Sequence, residues 1–338
     1  MLLREAPAAL WAGHWSRTIG VVSDVLVLAP IHADALQLIR DSGLGLTNPQ
    51  GATYEQVVDL IPGHYAILTR AGVKIDEGLL AKADKLKVVA VGSVGMDSLD
   101  LPYLFSKGFK VFNAQGGNSA AVVELAIANM ISLLRNVHTA NIDMHQGVWQ
   151  SMFERPQGNE LLGKTVGIVG LGNIGSRLAK VLLAFEAVPI AYDPYVRYVY
   201  DPALRESPQV RMMPSLDDLL READLVSVHT PLTDETFHMF STPQFKLMKP
   251  SAFFLNLSRG KVVDEPALAE ALRSKTIKGA ALDVFEKEPA NDSPLLEFQN
   301  ALLTPHIAGV PDEARRRMGL VVAQRIIDEV KAIKARGG

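Results

Sequence analysis

The chain reads as an α/β protein of two parallel-sheet domains, the second doubly wound. Three observations predict this. Its 338 residues exceed what one hydrophobic core usually serves. Short apolar runs alternate with helical periodicity from residue 24 onward, the rhythm of strand–helix–strand crossovers. One long apolar segment near residue 120 interrupts that rhythm, which restarts at a glycine-rich turn.

The first strand is expected at Asp24–Leu28, an apolar run followed by Pro30 and by the helical pattern Ala33–Arg40, which stops at Gly43. A second beat runs from strand Ala66–Thr69 through a helix over Glu77–Lys85 to strand Lys87–Val91. Lys110–Asn113 follows Gly108 as the next strand. The stretch Ser119–Arg135 is apolar on nearly every side, the pattern of a helix buried between domains or subunits. Its core, Ala120–Leu134, is about 15 residues and contains Glu124 and Asn129, short of the roughly 20 needed to span a bilayer. Six more strands are expected at Thr165–Val169, Pro189–Tyr192, Asp224–Val228, Phe253–Leu257, Gly279–Asp283 and Ala301–Leu303, with helices Ile174–Phe185, Leu216–Arg221 and Glu265–Arg273 among them. A terminal helix over Pro311–Lys334 has no strand after it and is expected to return to the first domain.

Composition narrows the function. With 48% hydrophobic and 21% charged residues, and 34 Lys+Arg against 37 Asp+Glu, disorder is excluded as the dominant state, and no single-sign field invites nucleic acid or an acidic membrane. Arg315, Arg316 and Arg317 are too short a basic run to change that. Zero cysteines exclude disulfides, a thiolate nucleophile and Cys-ligated metals, so no metal is expected and a reducing cytoplasm suits the chain. Residues 1–23 carry Trp11 and Trp15 but no apolar core of a secretory signal.

Strand Thr165–Val169 runs directly into Gly170-Leu171-Gly172-Asn173-Ile174-Gly175, which opens a helix. That is the context in which G-x-G-x-x-G binds a dinucleotide: Gly170 makes the tight turn, Gly172 lets backbone approach the pyrophosphate, and Gly175 lets helix and strand pack closely. Eighteen residues after Gly175, Asp193 ends the next strand, placed to accept from ribose hydroxyls. A carboxylate there repels a 2′-phosphate, which predicts NAD rather than NADP, with nearby Arg197 softening the expectation.

In an open α/β sheet ligands sit outside the carboxyl ends of the strands. Four strand-end segments carry chemistry: Val228-His229-Thr230-Pro231, Asn256-Leu257-Ser258-Arg259-Gly260, Leu282–Pro289 and Leu303–Gly309. Singly, Arg259, Glu288 and His306 have bland readings as loop cation, surface acid and core or capping histidine. Together they match hydride chemistry at a carbonyl. An arginine holds a substrate carboxylate in a bidentate fork, a histidine gives a proton to the forming alkoxide, and a carboxylate on that imidazole keeps it oriented and protonated.

With these residues the chain resembles the D-isomer specific 2-hydroxyacid dehydrogenase family, which includes glyoxylate and hydroxypyruvate reductases, D-lactate dehydrogenases and 3-phosphoglycerate dehydrogenases. The likeness covers roughly residues 65 to 325 and is strongest at Val91–Asp97, Asn118–Glu124, the glycine fingerprint, Asn256–Asp264, Leu282–Pro289 and Thr304–Gly309. It implies Arg259 as substrate-binding arginine, Glu288 as His-orienting acid, with Glu286 the near competitor, and His306 as acid/base. It implies that Ser93, Val94 and Gly95 grip the substrate carboxylate. The NAD site would be lined by the glycines with Asn173, Ile174, Asp193, His229, Thr230, Pro231, Leu257, Ser258, Arg259, Asp283, His306 and Gly309.

It also implies a fold of two Rossmann-like, doubly wound parallel-sheet domains with a cleft between them, a substrate domain of residues 1–117 plus 311–338 and an NAD-binding domain of 118–310, and a homodimer through the Ser119–Arg135 helix region. The expected reaction is NADH-linked reduction of a small 2-oxo acid. Formate oxidation fits poorly, because those relatives carry an amide where Glu288 stands. A 3-phosphoglycerate dehydrogenase is the alternative: Arg70 matches a substrate-domain arginine of that branch, but Val91 and Ser151 stand where further cations would be wanted, and one arginine neutralises a phosphate poorly. A dinucleotide-sensing, corepressor-like interaction protein is the alternative of another class, because the fold does not dictate function.

Overall fold

The computed structural model describes residues 23–49, 51–149, 154, 157–196 and 210–337. Arg197, Ser151 and residues 1–22 lie outside the described residues. Two compact units result: Met1–Asn118 with Val310–Gly338, and Ser119–Gly309.

In the first unit the chain forms β1 (Val25–Val27), α1 (Ala33–Asp41), β2 (Leu46–Thr47), α2 (Tyr54–Leu60), β3 (Ala66–Thr69), β4 (Val88–Val91), α3 (Leu101–Ser106) and β5 (Lys110–Asn113). Among the described residues these strands make a parallel five-stranded sheet in the order β2-β1-β3-β4-β5. Every side chain of β1, β3 and β4 is buried, as expected for strands covered on both faces. One face packs Leu36 and Ile39 of α1 with Val322, Ile326 and Val330 of the terminal helix; the other packs Val57, Leu79 and Leu104. That terminal helix returns to the unit in which the chain begins.

In the second unit come α4 (Ser119–Arg135), α5 (Val137–His145), β6 (Thr165–Val169), α6 (Asn173–Ala184), β7 (Val188–Tyr192), β8 (Arg211–Met212), α7 (Leu216–Glu222), β9 (Leu225–Val228), α8 (Thr242–Leu247), β10 (Phe253–Asn256), α9 (Glu265–Arg273), β11 (Gly279–Leu282) and β12 (Ala301–Leu303). The helix α10 (Asp312–Ala335) is the terminal one. The sheet is parallel in the order β12-β11-β10-β9-β6-β7-β8. Strand order reverses between β6 and β9, which is the switch point where such sheets bind nucleotides. Helices α4 and α6 cover one face through Val123, Met130, Leu178 and Leu182, while Leu219, Phe245 and Leu268 cover the other. Phe254 on β10 lies 4.9 Å from the Phe240 ring and 5.3 Å from that of Phe245.

Two expectations change. Glu77–Lys85 is a run of turns, not a helix. Gly78 sits inside it, and the Asp84 carboxylate accepts from the N–H of Gly63 at 2.7 Å and of Lys85 at 2.8 Å, so local side-chain bonds compete with helix pairing. The second sheet has seven described strands rather than six, because the two-residue β8 adds an edge beside β7. In α4, Val123, Ala126, Met130 and Leu133 pack into the core of the second unit.

Candidate active site

The fingerprint turn stands at the switch point. Gly170 has φ +92°, and a Cβ on it would lie 2.8 Å from the His229 carbonyl oxygen, so β6 and β9 leave space there for hydrogen only. Gly175 is packed against the Gly170 carbonyl in the same way. At Gly172, by contrast, a Cβ would meet nothing within 4 Å. Its freedom from a side chain keeps open the space in front of α6, whose N-terminus has no side-chain cap and offers its N–H groups outward.

Asp193, half-buried after β7, ties this turn down. One carboxylate oxygen accepts from the Leu171 N–H at 2.8 Å, the other from Tyr195 and Val196 N–H at 2.9 Å each. Each oxygen keeps further acceptor capacity for ribose hydroxyls. After β9, the Ser227 hydroxyl lies 2.9 Å from His229 Nε2, while His229 Nδ1 and Thr230 Oγ1 are buried without a hydrogen-bond partner among the described residues. Burial drives the His229 pKa down to about 4, so it is neutral at physiological pH. Orphaned buried polar atoms, an uncapped helix and an open glycine fit a bound dinucleotide; Gly170–Gly175, Asp193, His229 and Thr230 are the groups that would hold it.

The reacting groups come from the next three strand ends. Asn256, fully buried at the end of β10, shapes the Arg259 turn: its Oδ1 accepts from Ser258 N–H and Oγ, and its Nδ2 donates to the Arg259 carbonyl at 2.9 Å. Arg259 donates to the Ser258 carbonyl at 2.8 Å. Leu257 is buried beside it in the core. Beyond β11, the Glu288 carboxylate accepts from Phe285 N–H at 3.2 Å and lies 2.8 Å from His306 Nδ1. Glu286 instead accepts from the Glu265 N–H at 2.9 Å and lies 3.2 Å from His238 Nε2.

His306 follows β12 at φ +56°, a left-handed conformation that costs a non-glycine residue on the order of 1–2 kcal/mol. Asp283 holds it there. Its carboxylate, fully buried, accepts from Thr304 Oγ1 at 2.6 Å, Ile307 N–H at 2.8 Å and Ala308 N–H at 2.7 Å, gripping both sides of His306 and reaching to the neighbour of Gly309. The hydrogen bond to Glu288 raises the His306 pKa above the ordinary imidazole value, against some desolvation. Burial pushes Glu288 up, but the hydrogen bond to His306 and its charge, with Arg259 behind them, hold the carboxyl below the usual range. The arrangement therefore favours the imidazolium and commits Nδ1 to Glu288, leaving Nε2 as the other ring donor. Asn256 and Thr304 were not singled out from sequence; a polar residue ending an apolar strand is the signal that could have found them.

In the other unit, Arg70 ends β3, and Ser93, Val94 and Gly95 follow β4. Ser93 Oγ accepts from Ala71 N–H at 3.0 Å, and Asn113 Nδ2 donates to the Val94 carbonyl at 2.5 Å, so this loop is braced from both neighbouring strands.

Fold and site together define a dinucleotide-binding α/β protein. The family model described as D-isomer specific 2-hydroxyacid dehydrogenase, NAD binding domain, matches residues 127–308. The chain is 37% identical over 302 residues to the D-3-phosphoglycerate dehydrogenase of Methanocaldococcus jannaschii, covering 89% of this chain and 56% of that one. It spans about half the length of the curated relatives it matches. Among solved structures, a Thermus thermophilus protein superposes with a TM-score of 0.81 at 31% identity, covering 91% of this chain and 97% of the other. D-lactate dehydrogenase from Aquifex aeolicus, complexed with NAD and lactic acid, superposes with a TM-score of 0.78 at 28% identity, over 93% and 97%. The chain belongs to the D-isomer specific 2-hydroxyacid dehydrogenase family, and its second unit carries that family's NAD-binding domain.

Proposed function

We propose that this chain reduces a small 2-oxo acid to its D-2-hydroxy acid, with Arg259, Glu288 and His306 as the reacting set. The observation that carries this reading is the 2.8 Å His306–Glu288 pair at the ends of β11 and β12, with Arg259 close enough to influence both titrations. Bound NADH supplies the hydride. His306 Nε2 donates the proton to the substrate's C2 oxygen, Glu288 holds the imidazole in place as its charge is lost, and Arg259 binds the carboxylate and polarises the keto group. The Ser93–Gly95 loop contributes backbone N–H groups to the same carboxylate, which makes the first unit the substrate domain and residues 118–310 the cofactor domain. Leu257, Ser258, Pro231 and Gly309 line the nicotinamide side. The enzyme works in the cytoplasm, where NADH is at hand, as a homodimer.

The test is NADH consumption across glyoxylate, hydroxypyruvate, pyruvate, phenylpyruvate and 3-phosphohydroxypyruvate, for the wild type and His306→Ala. Turnover of at least one acid is expected, with His306→Ala losing about 100-fold or more in kcat while still binding NADH. Full turnover by the variant would remove His306 from the mechanism, and silence across the panel with NADH bound would favour the sensing role. The curated relatives support a second reading, a 3-phosphoglycerate dehydrogenase, in which 3-phosphohydroxypyruvate is the best acid of the panel.

A further inference from the structure

The carboxyl ends of three strands meet at the fingerprint turn. In the second sheet β6 lies between β7 and β9, so the loop carrying Gly170 has the Asp193 loop on one side and the His229 loop on the other. Both sides are joined to it. The Leu171 N–H donates to Asp193 at 2.8 Å, and Gly170 stands against the His229 carbonyl with Thr230 Cγ2 beside it.

A third contact joins the two outer loops directly. The Tyr195 hydroxyl, three residues past β7, donates to Glu235 Oε2, seven residues past β9, at 2.5 Å. Each end is tied to groups already assigned to the dinucleotide. Asp193, the acceptor for the ribose, also takes the Tyr195 N–H at 2.9 Å and so fixes the backbone that presents the ring. Glu235 lies inside a turn in which the Thr233 N–H donates to Thr236 Oγ1 at 2.8 Å and the Phe237 N–H to the Thr233 carbonyl at 2.9 Å. Thr236 Oγ1 then donates at 2.7 Å to the carbonyl of Pro231, the residue after Thr230. From Gly170 through Asp193, Tyr195, Glu235 and Pro231 back to His229, the contacts close a ring.

Two properties mark the Tyr195–Glu235 link as the part of this ring that opens. Both side chains are exposed, Tyr195 to 78%, so water replaces the bond when the loops part. Its donor and acceptor also sit on separate loops, whereas the Asp193–Tyr195 and Thr236–Pro231 bonds are local and survive that movement. The acidic residue after the second strand of such a domain serves the adenosine ribose, which puts the link at that half of the cofactor. A ribose held by Asp193 steadies the backbone of Tyr195, and by linkage a closed link steadies the ribose in return.

We propose that Tyr195 and Glu235 form a latch across the adenosine half of the bound dinucleotide, which slows cofactor release and takes no part in hydride transfer. The proposal rests on the NAD-binding domain and is independent of which 2-oxo acid is reduced.

The experiment measures NADH association and release by stopped-flow fluorescence, and ADP-ribose affinity by calorimetry, in the wild type, Tyr195→Phe, Glu235→Gln, Glu235→Ala and the double variant Tyr195→Phe with Glu235→Ala. Tyr195→Phe and Glu235→Ala should each speed NADH release by about threefold to tenfold, as for one net hydrogen bond, with association little changed. ADP-ribose, which carries the adenosine half alone, should lose affinity by the same factor. Glu235→Gln keeps an acceptor and should retain most of the wild-type behaviour, and the double variant should lose no more than either single one. Unchanged release in both single variants overturns the latch, and slower release shows that the bond obstructs the site instead. Additive losses, or an ADP-ribose affinity that does not move, also overturn it. Melting of the free protein should be unchanged; a melting temperature lowered in step with faster release assigns the pair to folding and overturns the latch. A wild type that binds no NADH overturns the dinucleotide assignment itself, a separate failure.

Discussion

At the scale of single residues, the site is a contest over one proton. Glu288 raises the His306 pKa through a 2.8 Å hydrogen bond, and His306 and Arg259 in return keep Glu288 ionised. In the proposed reaction reduction needs the imidazolium, so activity is expected below the raised pKa and falls as pH climbs through it. Glu288→Gln removes the charge while keeping an acceptor. Its expected effect is to move the falling limb of kcat/KM for reduction to lower pH, and to lower activity at neutrality more than in mild acid. The pH profile of 2-oxo acid reduction checks this; a limb that stays where it was would show that Glu288 does not set the His306 titration. The reverse reaction needs neutral His306 and should respond with the opposite sign.

At the scale of elements, the loops carrying Arg259 and Glu288 are locked to one another. Gly260 sits hard against the Phe285 backbone, leaving no space for a side chain. The Glu265 N–H donates to Glu286 at 2.9 Å, the Glu286 N–H donates to Glu265 at 2.5 Å, and Ser293 Oγ donates to the other Glu265 oxygen at 2.7 Å. Glu265 is buried at the start of α9, capped by Asp264. Glu265→Ala removes the acceptor of the part-buried Glu286 N–H and Ser293 hydroxyl, which costs up to about 1–3 kcal/mol in total. It should lower the melting temperature and kcat together, whereas Glu265→Gln keeps the acceptor and should recover most of both. Equal loss in the two variants would mean that charge, not hydrogen bonding, holds the loops.

This pair also shows where sequence reading runs out. Arg259, Glu288 and His306 were legible because each lies just past an apolar strand, a local signal. The Glu265–Glu286 exchange spans 21 residues and exists only because β10 and β11 pair in register, Phe253 with Gly279 through Asn256 with Leu282. The β2 and β8 edge strands escaped for a similar reason. Two residues each, they carry no periodicity of their own and take their form from the strand beside them. Helix α2 was overlooked although Thr53 and Gln56 make a capping box, since seven residues offer too few apolar repeats to outweigh the loop-like sequence before them.

At the scale of the whole molecule, the question is what covers the second unit's exposed apolar surface. No single described helix is long and apolar enough to cross a membrane. Helix α4 buries Val123, Ala126, Met130 and Leu133 against its own unit and leaves Glu124, Ala128 and Arg135 exposed. Helix α5 is different: none of its residues is buried, and Val137, Ile142 and Met144 are exposed, with Val148 and an 80% exposed Trp149 just beyond. His138 fixes this helix to its unit through a 3.1 Å contact with the Gln299 carbonyl, so the apolar side chains stand out from an anchored frame. A run of large apolar groups on an anchored helix is the composition of an interface core. We propose that α5 and the segment after it extend the α4 region as the surface of a homodimer. The double variant Ile142→Asp with Met144→Asp should leave the β6–α6 cofactor turn untouched and convert a dimer into a monomer in sedimentation analysis. A wild type that sediments as a monomer, or a variant that stays dimeric, would remove α5 from the interface.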